Sequence, residues 1–151
     1  MALLNCNGWT IYSHPLFIKD YTNIEARVFR LKKTLPDKKY RQHETVKFYA
    51  AIVKAIEEKI PLNPLAEKFL LGHELQGYCR VKGMGIPDRY RLFFKAFEDK
   101  KLIFILWLGY PRKEGSKDDC YRVFKKMIDK GKFPASPEEL IKDCITELQI
   151  S

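Results

Sequence analysis

The chain has 151 residues, 46% of them apolar, and its 28 Lys and Arg outnumber its 19 Asp and Glu, which leaves a formal net charge of +9. This length and apolar content fit one compact domain with a real core and argue against two domains. The charge favours an anionic partner, such as a nucleic acid or an acidic protein, although basic surfaces are often simply solvated.

The cysteines and the apolar runs narrow the class of protein further. None of the four cysteines forms a C-x-x-C pair, so neither a structural zinc site nor another metal or cofactor is expected. No segment reaches the roughly 18 consecutive apolar residues of a membrane span, and the N-terminus lacks the pattern of a secretory signal. We therefore expect a protein of the reducing cytoplasm without a membrane partner.

The N-terminal half predicts one strand and two helices. Apolar and polar residues alternate over 7–13, which indicates a strand, and Pro15 suits the first turn of a helix. Apolar residues then recur three and four positions apart, as in an amphipathic helix: Phe17, Tyr21, Ile24, Val28, Leu31 and Leu35. A second periodic segment, about 39–59, predicts a helix that forms an antiparallel hairpin with the first, and 61–77 is expected to be a tethered connection.

The middle of the chain predicts a three-strand antiparallel meander. Strands are expected over 78–82, 89–96 and 102–108, with turn residues in 83–88 and 98–100. The last strand is apolar on both faces, so it should lie inside the sheet with the N-terminal strand as its second neighbour. Alternation along the second strand puts Arg89 and Arg91 on one face, which we expect to stay charged while the other face packs.

Two helices are predicted to close the chain. Asp118 or Asp119 can cap a helix that ends at Gly131. The run Ser136-Pro-Glu-Glu139 then has a capping serine, a proline at the first helical position and a glutamate three residues after the cap. This start signal predicts a C-terminal helix over about 137–149.

The order of these elements and four short motifs resemble one branch of a known toxin superfamily. The motifs are Asn7-Gly-Trp9 with Tyr12 and His14-Pro-x-Phe17, then Arg89-Tyr-Arg-Leu-Phe-Phe-Lys95, then Arg112-x-x-Gly115, then Asp119-x-Tyr-x-Val-Phe-x-Lys-Met127. Together they resemble the YhaV branch of the RelE/ParE toxins, over about residues 7–134. The resemblance implies a RelE-like α+β fold in a single domain, 1–151, to which the C-terminal helix is appended.

The same resemblance implies an activity and partners. The expected protein is a type II toxin that cleaves messenger RNA on the ribosome and is held inactive by a cognate antitoxin. Two alternatives remain open: a toxin of the same superfamily that acts on gyrase, and a basic module that binds RNA or the ribosome without cleaving. Each keeps the fold and the charge, but only the nuclease needs a catalytic group.

Cleavage of RNA without a metal requires three things of the protein. The 2′-hydroxyl must lose a proton, the pentavalent phosphorane must be stabilised, and the leaving 5′-oxygen must gain a proton. The sequence offers no paired carboxylates, so cations must do much of this work. Strand parity and loop positions bring together Arg80, Lys82, Arg89, Arg91, Arg112, Lys113 and Tyr121. Such clustering favours the neutral form of a lysine and the phenolate form of a tyrosine.

Roles for these residues follow from the resemblance. It implies that Arg91 stabilises the phosphate in the transition state, that Arg112 assists, and that Tyr121 is the base or the acid. Lys82 completes the candidate catalytic set by its position on the basic strand. The candidate RNA-binding residues are Arg80, Arg89, Lys113, Lys117 and Lys125.

Several of these residues also have an ordinary structural interpretation. Helical spacing with Phe124 makes Tyr121 equally compatible with a half-buried core position. Arg89 fits an exposed strand residue that keeps a sheet edge soluble. His14, directly before Pro15, is expected to be a local partner at a helix start instead of a base.

Overall fold

The computed structural model of this protein describes residues 3–110 and 119–150, which form an α+β architecture around a five-stranded sheet. The strands are β1 Leu4–Cys6, β2 Trp9–Ser13, β3 Cys79–Val81, β4 Arg91–Phe97 and β5 Leu102–Gly109. Their order in the sheet is β1-β2-β5-β4-β3, with β2 parallel to β5 and every other neighbouring pair antiparallel. The α+β class and the meander of β3, β4 and β5 are thereby confirmed, and of the two sheet types left open by the sequence, mixed or antiparallel, the sheet is mixed.

Helices occupy both faces of this sheet. They are α1 Pro15–Thr34, α2 Asp37–Gln42, α3 Glu44–Lys54, a π-helical turn Ala55–Lys59, α4 Ile60–Leu62, a 3-10 helix His73–Leu75, α5 Asp119–Asp129 and α6 Pro137–Ile150. One hydrophobic core lies between the sheet and the α1–α3 layer, and a second lies between the opposite sheet face and α5 and α6. In the described part of the chain, no helix is both long and apolar enough to cross a membrane.

The expected helical hairpin is confirmed, but its second arm is not one helix. Tyr21 of α1 donates to the Tyr49 hydroxyl at 3.1 Å, and Arg27 donates to Thr45 at 3.3 Å, so the two arms run antiparallel. The helix predicted over 39–59 is broken at His43, whose backbone is extended and whose side chain caps α3 by accepting from the Thr45 amide. Apolar periodicity predicted one helix over this range, but the His43 imidazole caps the start of α3 and so divides the range into α2 and α3.

An additional edge strand precedes the predicted N-terminal one. β1 pairs with β2 through a two-residue turn in which Asn7 has φ 50° and Gly8 has φ 82°. Asn-Gly is the dipeptide that best tolerates two consecutive positive φ angles, as a tight hairpin turn requires. The strand predicted over 7–13 therefore begins two residues later, at Trp9, and Asn7-Gly8 forms the turn before it.

The expectation that one face of β4 stays charged is wrong. Alternation is kept: Leu92 and Phe94 enter the first core, while Phe93 enters the second and stacks on Phe124 of α5 with ring centroids 4.2 Å apart. Because α5 covers that face, its middle is apolar and Arg91, at the first position of β4, is buried. The prediction for β5 is confirmed, since both of its faces are buried.

The ends of the two C-terminal helices follow their sequence signals. At the end of α5, Lys132 N–H donates to the Met127 carbonyl and Gly131 N–H to the Ile128 carbonyl, with Gly131 at φ 76°. This is the Schellman arrangement that a glycine permits. At the start of α6, the Glu139 amide donates to Ser136 Oγ at 3.2 Å. Asp119 begins α5 in the structure, and the alternative cap Asp118 lies outside the described residues.

His14 connects the start of α1 to the segment between α5 and α6. Its Nδ1 accepts from the Leu16 amide at 3.1 Å, and its ring meets the edge of Phe133 at 4.9 Å. The predicted role as a helix-start partner is confirmed. Burial lowers the pKa of His14 to about 4, against the opposing effects of Asp143 and of a hydrogen bond to the Lys132 carbonyl.

We expect His14 to make the stability of the fold depend on pH. The unfolded chain takes up a proton near pH 6.5, whereas the folded chain resists protonation until about pH 4. The contribution of neutral, buried His14 to the free energy of unfolding is therefore fully present above pH 6.5. It is lost as pH falls toward 4, and the total loss is roughly 3 kcal/mol. His14→Asn keeps a capping acceptor but cannot titrate, so urea unfolding across this range should show a weaker loss of stability than in the wild type.

The matched control is His43→Asn, which replaces the capping imidazole of α3 and leaves His14 in place. This variant should keep the pH dependence of the wild type. If the two variants respond alike between pH 6.5 and 4, buried His14 does not carry the effect.

Candidate active site

Two arginines and a tyrosine from three different elements meet at one end of the sheet. Arg80 is opposite Phe93 in the β3–β4 pairing, so Arg80 and Arg91 are diagonal neighbours on the same face. Tyr121, in the first turn of α5, brings its hydroxyl between them. The Tyr121 oxygen accepts from Arg91 Nε at 2.9 Å and from Arg80 Nε at 3.3 Å.

Backbone carbonyls fix the orientation of both guanidinium groups. Arg91 Nη1 donates to the carbonyls of Asp88 at 2.6 Å and Tyr90 at 2.8 Å. Arg80 Nη1 donates to the Lys68 carbonyl at 2.7 Å. Arg91 is only 5% exposed, and a buried charge is tolerated when its donors are satisfied in this way. The cluster is therefore held in one geometry before any ligand arrives.

Tyr121 joins the hydrophobic core to this polar cluster. Its ring packs edge-on against Phe93 at 5.6 Å, and the Arg91 guanidinium carbon lies 5.9 Å from the ring centroid. The structural interpretation of Tyr121 holds for its ring, which is packed, whereas its hydroxyl faces two cations. A phenol oxygen that accepts two hydrogen bonds retains its own hydrogen for donation.

A groove with a volume of about 860 Å³ adjoins the cluster, and Tyr121 is part of its wall. One side is formed by residues 71–75, which include the 3-10 helix, and the other by α5. The side chains that give the groove its charge are Arg122, Lys125, Lys126, His73 and Glu74. Lys125 also pairs with Asp129 at 2.7 Å, so three permanent cations meet two carboxylates and the net positive charge suits an anionic chain.

The groove was only partly visible in the sequence. The sequence predicts an RNA-binding role for Lys125, whereas Lys126 enters only as part of the fourth motif. Lys125 is four residues after Tyr121, so helical spacing places it on the same face of α5, but Lys126, five residues after Tyr121, has no such spacing. His73 begins the 3-10 helix with φ 53°, and no periodic signal in the sequence points to it.

The other predicted site residues have three different outcomes. Lys82 and Arg89 are exposed at the end of the sheet where β3 ends and β4 begins. Arg112, Lys113 and Lys117 lie outside the described residues. The structure thus brings Arg80 and Arg91 to Tyr121, places Lys82 and Arg89 on the neighbouring surface, and leaves the loop residues as predictions.

A depressed lysine pKa occurs at a position that the sequence analysis did not consider. Burial lowers the pKa of Lys95, whose ammonium lies 4.5 Å from the centroid of the Tyr78 ring. Lys95 is four residues from Arg91 on the same face of β4, which is about 13 Å at the rise of a strand.

The groups at this cluster do not suit a divalent cation. In residues 3–110 and 119–150, no three His, Cys, Asp or Glu side chains form a group that could hold a metal ion. The groups around the Tyr121 oxygen are two guanidinium ions, which repel a cation and attract a phosphate.

We expect Arg91 to be a large contributor to the stability of this region. Arg91→Met keeps much of the volume but leaves two carbonyls and a phenol oxygen without their donor, at a cost of about 2 kcal/mol. Urea denaturation should detect this loss. The exposed neighbour provides a control, because Arg89→Met should change the free energy of unfolding by less than about 0.5 kcal/mol. Equal losses in the two variants would contradict the role of the Arg91 hydrogen bonds.

Comparison with known proteins identifies relatives over nearly the whole chain. A family model named Toxin_YhaV, described as "Toxin with endonuclease activity, of toxin-antitoxin system", matches residues 11–145. The Ribonuclease toxin YhaV of Escherichia coli strain K12 is 38% identical over 146 residues, which cover 91% of this chain and 92% of the relative. Toxin YhaV of Escherichia coli O157:H7 matches with the same identity and coverage.

Among solved structures, this chain is similar to a toxin–antitoxin complex. It is the crystal structure of the toxin–antitoxin complex RelBE2 from Mycobacterium tuberculosis, with a TM-score of 0.43 and 17% sequence identity. The match covers 70% of this chain and 93% of that chain.

Proposed function

Because the chain belongs to the YhaV family of toxins with endonuclease activity in toxin–antitoxin systems, we propose that it cleaves messenger RNA without a metal ion and does so on the ribosome. The observation that carries the proposal is the pair of hydrogen bonds from Arg80 and Arg91 to the Tyr121 hydroxyl. Two fixed positive charges and one transferable proton at a single point match the needs of phosphodiester cleavage.

The two guanidinium groups bind and stabilise the reacting phosphate. The hydrogen bonds described above use Nε and Nη1 of Arg91, so the phosphate contacts are assigned to Nη2. Attack of the ribose 2′-oxygen on phosphorus gives a phosphorane with increased negative charge on its oxygens. Donors already held in place stabilise that charge without reorganising during the reaction.

Tyr121 supplies the proton to the leaving group. Its oxygen accepts two N–H donors, so its hydrogen is directed away from the arginines. The bond from phosphorus to the 5′-oxygen breaks as that oxygen takes the Tyr121 proton, which leaves a 2′,3′-cyclic phosphate on the upstream product. The proton of the 2′-hydroxyl goes to a base, a role that we propose for Lys82 of the candidate catalytic set, and Arg112 is proposed to assist at the phosphate.

The RNA strand lies along the basic groove beside Tyr121. Lys125 and Lys126 on α5 give its phosphates a favourable potential. Arg89 extends the basic surface at the end of the sheet, and Lys113 and Lys117 are proposed to extend it further. Contacts of this kind bind RNA without reading its sequence.

The proposed partners are those that the family and the charge suggest. An antitoxin that presents an acidic segment to the Arg80–Arg91–Tyr121 cluster would silence it, and complementary charge would speed its encounter. Messenger RNA and ribosomes place the action in the cytoplasm, and residues 1–151 are proposed to work as one domain.

We expect Tyr121→Phe to lower cleavage by about a hundredfold to ten thousandfold, the usual contribution of a positioned proton donor. The variant keeps the ring against Phe93, so its fold should survive. Cleavage is measured on a messenger RNA with and without ribosomes, by mapping new 5′ ends. Tyr12→Phe, which removes a hydroxyl from β2, should cleave like the wild type.

The arms of this experiment separate the parts of the proposal. Wild-type cleavage only in the presence of ribosomes supports ribosome dependence. Equal cleavage of free RNA would contradict ribosome dependence and leave the rest of the proposal standing. Full activity of Tyr121→Phe would overturn the assignment of the proton donor. A wild type that cuts in neither arm, with intact fold, would overturn the nuclease.

The groove makes a separate prediction about salt. Lys126→Ala should flatten the dependence of RNA affinity on salt, lowering the slope of log affinity against log salt by roughly 0.7 for one lost phosphate contact on a single strand. The ligand is a 2′-O-methyl oligonucleotide, which cannot be cut through its 2′-oxygen. Lys33→Ala, an exposed cation on α1, is the control and should leave the slope unchanged. An unchanged slope in Lys126→Ala would remove the groove from the RNA path.

A further inference from the structure

An exposed aromatic ring follows β5, the strand that pairs with β4 at Arg91. Tyr110, directly after β5, is 44% exposed. Its ring centroid is 6.0 Å from that of Tyr90, which in turn is 4.6 Å from Phe48 of α3. The three rings form a column with Phe48 packed against the core and Tyr110 at the surface. Such backing holds an exposed ring in place.

The pairing of the strands puts this ring next to the candidate catalytic arginine. Arg91 is the partner of Gly109 in the β4–β5 register, so the Cα atoms of Arg91 and Tyr110 are about 6 Å apart. Arg91 Nη1 also donates to the carbonyl of Tyr90. Tyr90 therefore supports Tyr110 with its ring and positions the Arg91 guanidinium with its carbonyl. The side chains of Tyr110 and Arg91 lie on opposite faces of the sheet.

The surface around Tyr110 carries the charge that RNA requires. Lys82 and Arg89 are exposed at the same end of the sheet, where Asp88 is an exposed carboxylate. An exposed aromatic ring among cations is the combination with which proteins hold single-stranded nucleic acids, because the ring stacks on a base and the cations attract the backbone.

We propose that Tyr110 stacks on a nucleobase of the RNA next to the phosphate bound by Arg91, with Tyr90 and Phe48 as its support. This inference rests on the proposed RNA cleavage and adds a base-binding position to it. Stacking holds the nucleotide on one side of the scissile bond while the groove beside Tyr121 holds the strand on the other. An RNA strand that crosses the end of the sheet is thus bound on both sides of the reacting phosphate.

Stacking can be measured apart from cleavage. The probe is a single-stranded 2′-O-methyl oligonucleotide that contains 2-aminopurine, whose fluorescence falls when the base stacks on an aromatic ring. The whole chain, purified with its antitoxin and then freed of it, is titrated with this probe. The variants are Tyr110→Phe, which keeps the ring, and Tyr110→Leu, which keeps an apolar side chain without a π face.

The wild type and Tyr110→Phe should quench the probe and bind it equally well. Tyr110→Leu should lose the quenching and bind about tenfold more weakly, within the range measured for one base stacked on an aromatic side chain. In cleavage assays the same change should raise KM and leave kcat nearly unchanged, because the ring does not touch the reacting atoms. Phe29→Leu, which alters a 59% exposed ring on α1, should behave like the wild type.

Two results would overturn the stacking position. One is Tyr110→Leu that binds and quenches like the wild type. The other is Tyr110→Phe that loses as much as Tyr110→Leu, since the hydroxyl and not the ring would then be responsible. A wild type that binds and quenches the probe but never cleaves RNA would overturn the proposed function and leave the base-binding position standing.

Discussion

The candidate site depends on the hydrogen bonds made by the buried guanidinium of Arg91. A charge that is 5% exposed is costly unless its donors are satisfied. Its partners are the carbonyls of Asp88 and Tyr90 and the hydroxyl of Tyr121. One side chain thereby connects the loop before β4, the strand itself and helix α5. The hydroxyl of Tyr121 completes the set of hydrogen bonds that satisfies this one charge.

The hydrophobic cores make that arrangement possible. Phe124 stacks on Phe93 in the middle of β4 and fixes α5 against the sheet. Tyr121 lies one turn before Phe124, so the same packing delivers its hydroxyl to the first residue of the strand. The sheet below is held by β5, which is buried on both faces. Apolar packing thus sets the position of the polar cluster, and the hydrogen bonds set only its final geometry.

Sequence patterns predicted the parts of this structure that depend on local periodicity. The meander, the interior strand and the capped C-terminal helix are confirmed, because alternation and caps act over a few neighbouring residues. Membership of the YhaV family, expected from four motifs, is confirmed by a match over residues 11–145. The Asn7-Gly8 hairpin carried a local signal that was overlooked. The site could be predicted only as residue types on a common face.

The errors arose where tertiary contacts override local pattern. Nothing near Arg91 in the sequence reveals that a helix thirty residues later covers its face, so a charged face was expected where a packed one exists. The break at His43 depends on an imidazole acting as a cap, which helical periodicity does not register. The groove forms where residues 71–75 lie opposite α5, and these two segments are far apart in the sequence.

The nitrogens of the Arg91 guanidinium have different partners, so stability and the proposed chemistry are hard to separate there. Nη1 is held by backbone carbonyls and Nε by Tyr121, and Nη2 is the nitrogen proposed to bind the phosphate. Any substitution of Arg91 removes all three, so lost activity alone would not show that the residue acts on RNA. Tyr121 differs in this respect, because its ring supplies the packing and only its oxygen is proposed to take part in the reaction. The distinction between a catalytic cluster and a merely structural one therefore has to be made at Tyr121, where a single oxygen atom can be removed from a ring that stays in place.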